Sequence, residues 1–317
     1  MGITVEQARP RWRSSRKGHE DRRMLLLKRA GLFSNDTHGA TVIRATGLED
    51  LASAYRLVHD VFVERGYIAP DDSGLRVRVF EALPETATFV AKAGAAVVGV
   101  TSMVIDSPDL GLPSDKAFKA EIDSLRAEGR KVCEGTNWAV AESHRHSAVM
   151  SEMMRAAFAH AVAQRCTDFI GAVSPGHAGF YGLLGFEQLG QVRSYSDEIH
   201  DPVVMVRLDL TGLAERFRSA DNGGIESERF LKSYYLDENP YGRYVAAWQI
   251  LSDRFFADPA GLRELFVQRS SLPRHCEPGD LRAIQNRWGP RIFAETLGSE
   301  SAVPEEAAAR GVISPRA

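Results

Sequence analysis

Three of the histidines, three cysteines, one carboxylate inside a strand-like run and one tyrosine ahead of a Gly-Phe pair are the residues best suited to chemistry. His144 and His146 alternate around Arg145 with no third ligand at zinc-binding spacing, so no metal centre is expected. His177 stands at the start of a helical stretch, where it could orient a substrate or cap the helix. Cys133, Cys166 and Cys276 lie far apart and form no C-x-x-C pair, and Cys133 and Cys166 lack a nearby His and Asp arrangement. A zinc ribbon, a secreted disulfide framework and a cysteine nucleophile are therefore all disfavoured. Glu134 sits in Val132-Cys-Glu-Gly-Thr-Asn-Trp-Ala-Val140, and Tyr181 in Ser174-Pro-Gly-His-Ala-Gly-Phe-Tyr-Gly-Leu-Leu-Gly-Phe186. A carboxylate can take a proton and a phenol can give one. The plainer roles are a salt bridge or exposed strand position for Glu134 and a core anchor for Tyr181.

The elements that must position these groups follow from periodicity. Residues 41–45 read as a strand and 48–63 as an amphipathic helix, with a second, shorter helix over 71–83. Two β-branched runs, 86–91 and 95–105, flank Lys92-Ala93-Gly94 as a hairpin. A polar helical stretch over 106–131 precedes a strand over 132–141, a helix over 147–164, a strand over 168–173 and a helix over 176–184. Strands near 188–193 and 203–210 complete an α/β (α+β) pattern, a mixed central sheet flanked by helices. On a strand of period 2, Glu134, Thr136 and Trp138 face one way, and Cys133, Gly135 and Asn137 the other. Beyond residue 210 the chain turns helical, with helices expected over 226–236, 244–256, 259–268 and 277–288.

A chain of 317 residues has room for roughly two domains. A hydrophobic share of 44% and a charged share of 26% exclude fibrous and low-complexity classes. The longest apolar stretch, 94–105, is about 12 residues against the roughly 20 needed to span a bilayer. With no signal-peptide pattern, a cytoplasmic location is expected. The net charge of −3 hides nine Lys/Arg against three acids in residues 1–29. Such an arm can contact acidic protein or anionic lipid, so peripheral membrane contact is open, while no nucleic-acid partner is expected. The expected division is a flexible basic arm (1–39), a catalytic domain (40–212), a helical extension (213–297) and a flexible tail (298–317).

Tyr181, followed by Gly185-Phe186, resembles the Y-x-x-x-G-F signature of the GCN5-related N-acetyltransferase superfamily. Arg145-His-Ser-Ala-Val-Met150 resembles its phosphate-binding loop, with Ala148 and Met150 in place of glycines. Glu134-Gly-Thr-Asn-Trp-Ala-Val140 is similar to the E-x-S-R-F-x-V block of the acyl-homoserine-lactone autoinducer synthases, and Tyr55-Arg-Leu-Val-His-Asp-Val-Phe-Val63 to their L-R-x-x-V-F-V helix. Gly111-Leu-Pro-Ser-Asp115 and Pro175-x-His177 resemble the FeeM-type long-chain N-acyl amino acid synthases in particular. Val58 and Asn137 stand where those relatives carry arginine.

The resemblance implies an N-acyltransferase that moves a fatty acyl group from a thioester to a small amine, with nothing bound permanently. Glu134 would accept the ammonium proton and Tyr181 would protonate the departing thiolate. Val140, Arg145, Ser147, Ala148, Ser174 and His177 would hold the acyl-phosphopantetheine donor, and Thr136, Trp138 and Phe62 the substrate. The lost glycines favour a donor with a single phosphate, an acyl carrier protein, over coenzyme A. Arg126, Arg130, Lys131, Arg145 and Arg155 could offer that acidic partner a basic face, or be ordinary solvated charge. The apolar residues of the extension need a partner surface, and docking on the domain would let it wall the acyl groove. Tyr181→Phe should slow thiol release by roughly 100-fold with donor affinity nearly unchanged, which single-turnover kinetics and donor titration read separately.

Overall fold

The computed structural model describes residues 22–195, 201–221, 225–270 and 272–298. Most of the expected arm (1–21) and almost all of the expected tail (299–317) lie outside the described residues. Seven strands form one sheet: β1 (Thr41–Arg44), β2 (Ala87–Ala93), β3 (Ala96–Ile105), β4 (Val132–Val140), β5 (Asp168–Val173), β6 (Glu187–Ser194) and β7 (Pro202–Asp209). Their spatial order is β1-β2-β3-β4-β5-β7-β6. All neighbours are antiparallel except β4 and β5, which run parallel. That parallel pair is short. Only Val132–Glu134 pair with Asp168–Ile170, and the two strands then part.

Helices cover both faces, as the β-branched, apolar strand sequences require. On one face, Phe89, Met103, Cys133 and Phe169 share a core with α4 (Val149–Ala163) and α5 (Pro175–Leu183). On the other, Val90 and Val100 pack with α2 (Leu48–Glu64), and Val104, Val132 and Ile170 with α3 (Asp115–Ala127). The stretch expected as a helix over 71–83 is a turn at 71–74 and irregular chain from there to a short 3-10 turn at Val79–Ala82. The Leu-Arg-Val-Arg-Val alternation of residues 75–79 is a strand period, which a helical reading misses.

Part of the expected flexible arm is built into the fold. The helix α1 (Arg22–Arg29) buries Met24 and Leu27 completely, and Arg23 donates to the Leu183 carbonyl and pairs with Glu228 at 2.6 Å. Two apolar residues three apart on one helical face outweighed the basic composition that suggested solvent.

After β7 come α6 (Leu210–Asp221), α7 (Glu226–Lys232), α8 (Val245–Phe256), α9 (Pro259–Leu262), α10 (Pro278–Trp288) and α11 (Pro290–Leu297). They share their core with the sheet. Tyr235 stacks on Phe158 of α4 at 4.3 Å, and Trp248 meets Phe89 of β2 edge-on at 5.9 Å. Trp288 donates to the Ala82 carbonyl at 2.8 Å on the opposite face. Between these faces, α8 caps the edge strand β1: the buried Arg44 guanidinium donates to Gln249 (2.7 Å), Ser252 (3.0 Å) and the carbonyls of Pro84 and Thr86. Arg44 thereby ties the edge strand to α8. Arg155 of α4 is fully buried, donating to the Tyr234 and Glu238 carbonyls and pairing with Glu152, which accepts from Tyr241 at 2.6 Å. The sequence reading had offered Arg155 to a partner; it belongs to the interior instead, where its charge is compensated on every side. Trp248→Ala should cost about 3–5 kcal/mol. Its calorimetric transition should stay single, because the extension and the sheet share one core; two separated transitions would contradict this.

Candidate active site

The parting of β4 and β5 opens a cavity of about 930 Å³, lined by Gly135–Val140 on one side and Ala172–Ser174 on the other. Glu134, Tyr181, Phe62, Arg76, Arg145, Ser147, His177 and Tyr195 complete its wall. The volume suits a sizeable organic ligand. Most of the expected site residues therefore meet in one place, whereas Ala148 does not line the cavity and no residue of α6–α11 does. The extension was expected to wall the groove; among the described residues it supports α4 and is tied to the edge strand instead.

Glu134 lies at the apex of the fork, 1% exposed. Its Oε2 accepts from the Ser114 amide at 2.9 Å and its Oε1 from the Ser114 hydroxyl at 2.7 Å. Burial nevertheless pushes its carboxyl up to about 7, against the ordinary 4.5. A neighbouring carboxylate behaves oppositely. Burial pushes Glu81 up too, but the charge and hydrogen bonds of Arg78, at 2.6 Å, outweigh it and hold Glu81 below its ordinary value. Two buried glutamates thus divide the work: one stays ionised as a counter-ion, and the other can exchange a proton near neutrality.

The strand carrying Glu134 does not alternate throughout. Val100 pairs with Ala139 and Ser102 with Thr136, so Asn137 and Trp138 oppose the single residue Thr101 in a β-bulge. Asn137 takes a left-handed φ of 56°, which asparagine tolerates better than most residues. The bulge reverses the facing expected beyond Thr136. Trp138 joins the Cys133 side, where its ring lies 3.3 Å from the point a Gly135 Cβ would occupy. Asn137 turns to the Glu134 side and donates to Glu81 at 2.9 Å and to Ser102 at 3.3 Å. Its Oδ1 accepts from Arg76 at 2.9 Å and from Arg78 at 3.4 Å. Positive charge thus reaches this wall from the irregular segment before Val79–Ala82 rather than from position 137 itself. Arg76 also lies 5.0 Å over the Phe62 ring.

Tyr181 is 5% exposed, edge-on to Phe186 at 5.3 Å, and burial pushes its hydroxyl well above the ordinary tyrosine value. It stays protonated at any physiological pH. Tyr195, raised to about 12 by burial and then by the charge of Glu134, stands beside that carboxylate. At the cavity mouth, the exposed His177 ring pairs with Ser174 at 3.0 Å, closing the first turn of α5. Arg145 bridges to Glu64 at 3.0 Å and to the Val140 carbonyl at 3.4 Å. Ser147 donates to the His144 carbonyl at 2.6 Å and accepts from the Val149 amide at 3.3 Å. The Ala148 amide, which opens α4, donates to the Asp36 carbonyl at 2.8 Å. The amides of Ala148 and Val149 at the start of α4 are thus engaged within the chain. No group of three or more His, Cys, Asp or Glu among the described residues is arranged to hold a metal ion.

Arg76, Arg78, Glu81, Ser114 and Tyr195 escaped the sequence reading. Alternation in residues 75–79 signals the first two; nothing in sequence brings the others to Glu134.

An antiparallel-then-parallel sheet forked at β4 and β5, with a tyrosine from the following helix in the fork, defines an N-acyltransferase of the GCN5-related fold. Residues 53–209 match the family model described as "N-acyl amino acid synthase FeeM". Similar solved structures include FeeM, an N-acyl amino acid synthase from uncultured soil microbes, at 23% identity over 54% of this chain and 90% of that one, TM-score 0.49. The AHL synthase LasI is 16% identical over 54% of this chain and 91% of its own, TM-score 0.41. The CoA-dependent acyl-homoserine lactone synthase BjaI, solved with SAM and isopentyl-CoA, is 19% identical over 59% and 91%, TM-score 0.40. No curated protein matches the chain.

Glu134 can act as a base only when ionised, so the rate should rise with pH to a plateau above about 7. Glu134→Gln should lower the plateau by about 100-fold or more. The stability sign is opposite. A carboxyl with its folded value raised to about 7 contributes fully below 4.5 and loses that contribution as pH rises through 7. The melting temperature of the parent should therefore fall relative to Glu134→Gln between pH 5 and 8, by the equivalent of roughly 1–3 kcal/mol.

Proposed function

We propose that the chain transfers a long-chain fatty acyl group from the phosphopantetheine thioester of an acyl carrier protein to the α-amino group of an amino acid. The observation that carries the reading is the joint presence, in one forked cavity, of a buried carboxyl poised near neutrality and a buried, protonated tyrosine. Glu134 takes the proton of the incoming ammonium, directly or through water. The freed amine attacks the thioester carbon, the C–S bond breaks, Tyr181 supplies the proton of the departing thiol, and the proton that the new amide nitrogen sheds returns to Tyr181, directly or through water. The unpaired edge of β4 offers backbone N–H groups to the developing oxyanion.

The pantetheine arm runs past Val140, Arg145, Ser147, Ser174 and His177, with Ala148 behind them. An acyl carrier protein is favoured over coenzyme A because the Asp36 carbonyl occupies the Ala148 amide, where a pyrophosphate would need donors. The acceptor lies between Thr136, Trp138 and Phe62, and the Arg76 guanidinium meets its carboxylate. The free thiols of Cys133, Cys166 and Cys276 suit a reducing, cytoplasmic setting. No described helix is long and apolar enough to cross a membrane.

Purified protein, long-chain acyl carrier protein and a panel of amino acids, scored by free-thiol release and by mass of the amide, test the reading. Amide should form faster from the carrier-linked donor than from the matching acyl-coenzyme A. Arg76→Met should raise KM for the amino acid by about tenfold or more, and leave KM for the corresponding decarboxylated amine nearly unchanged. Transfer to S-adenosylmethionine alone would move the chain to autoinducer synthesis, and silence with every amine would leave an acyl-binding module.

A further inference from the structure

The helix α1 is apolar on two faces. Met24 and Leu27 point into the core and are fully buried. At 3.6 residues per turn, the opposite arc sets Leu25, Arg29, Arg22 and Leu26 side by side. Leu25 is 46% and Leu26 37% exposed, and both arginines are exposed as well. Ile225, 59% exposed, precedes α7, against which α1 packs. A helix anchored by one face gains nothing in water from leucine on the other, so this arc is shaped for a partner.

The charge around it says which. The helix contributes Arg22, Lys28 and Arg29 with no acid, Arg23 being paired with Glu228, and the sequence of residues 1–21 adds Arg9, Arg11, Arg13, Arg16 and Lys17 against Glu6, Glu20 and Asp21. Leucines that insert and arginines that lie between and beside them match an interface that is apolar beneath and anionic at its surface. We propose that the outer face of α1 docks the enzyme on an anionic lipid bilayer. An acidic protein would pair with the arginines and leave the two leucines without a purpose. The proposal does not depend on the identity of the acyl donor or acceptor.

Sedimentation of the full chain with phosphatidylcholine vesicles, with and without phosphatidylglycerol, tests it. The protein should pellet with the anionic vesicles, remain in solution with neutral ones, and be released by salt. The double variant Leu25→Asp/Leu26→Asp should keep its melting temperature and lose about tenfold or more in vesicle affinity. If that variant is less stable, Arg22→Glu/Arg29→Glu, which alters only exposed side chains, carries the same expectation. Failure of the parent to pellet, or an unchanged affinity of the stable variant, overturns the proposal. So does binding of purified acyl carrier protein that is lost in the variant while vesicles are ignored, which would assign the face to a protein partner.

Discussion

Everything in the site depends on where β4 and β5 stop being partners. Three residue pairs hold them together, Val132–Glu134 against Asp168–Ile170, and no more. Parallel strands normally continue side by side, because an unpaired backbone in the interior is costly. Here the cost is limited because one edge of β4 remains bonded to β3 and the other faces a cavity. Glu134 is the last paired residue and the first cavity residue. It is held by the sheet and by two bonds from Ser114, and these bonds and the charge of Arg78 do not offset the effect of burial. Its raised proton affinity follows from that position.

Around the fork, the rest of the chain acts as support. Asp168, at the base of β5, is fully buried and gripped by Arg130 and Arg207 at 2.5 and 2.7 Å, which pins the junction from below. Glu81 and Arg78 neutralise each other beside the cavity, so the site gains polarity without a stray charge. The extension secures α4 through Arg155, Glu152 and Tyr241, and with it the loop at residues 145–148 that frames the cavity mouth. Distance from the chemistry does not make these contacts incidental: a loosened α4 would move Arg145 and Ser147 together.

The sheet and most of its helices were legible because strand and helix periods are local, and the spaced blocks that carry the family resemblance singled out Glu134 and Tyr181, which the fold brings to one cavity. Facing beyond Thr136 was not, since a bulge adds one residue by a hydrogen-bond choice made with β3 rather than within β4. Arg76 and Arg78 were hidden for a related reason: a short irregular segment lacking sheet partners leaves only a faint alternation. Met24 and Leu27 were hidden by their basic surroundings, and the role of the extension by distance in sequence. The apolar residues of the extension announce burial, but not the surface they are buried against, and Ile250 among them stays exposed.

The proton affinity of Glu134 is the quantity from which the rest follows, and it can be observed without any substrate. Infrared difference titration of the protein, taken against Glu134→Gln, isolates one carboxyl. A protonated carboxyl band that disappears with a midpoint near 7, and is absent from the variant, is the expected result. A midpoint near the ordinary 4.5 would contradict the assignment of Glu134 as the buried base.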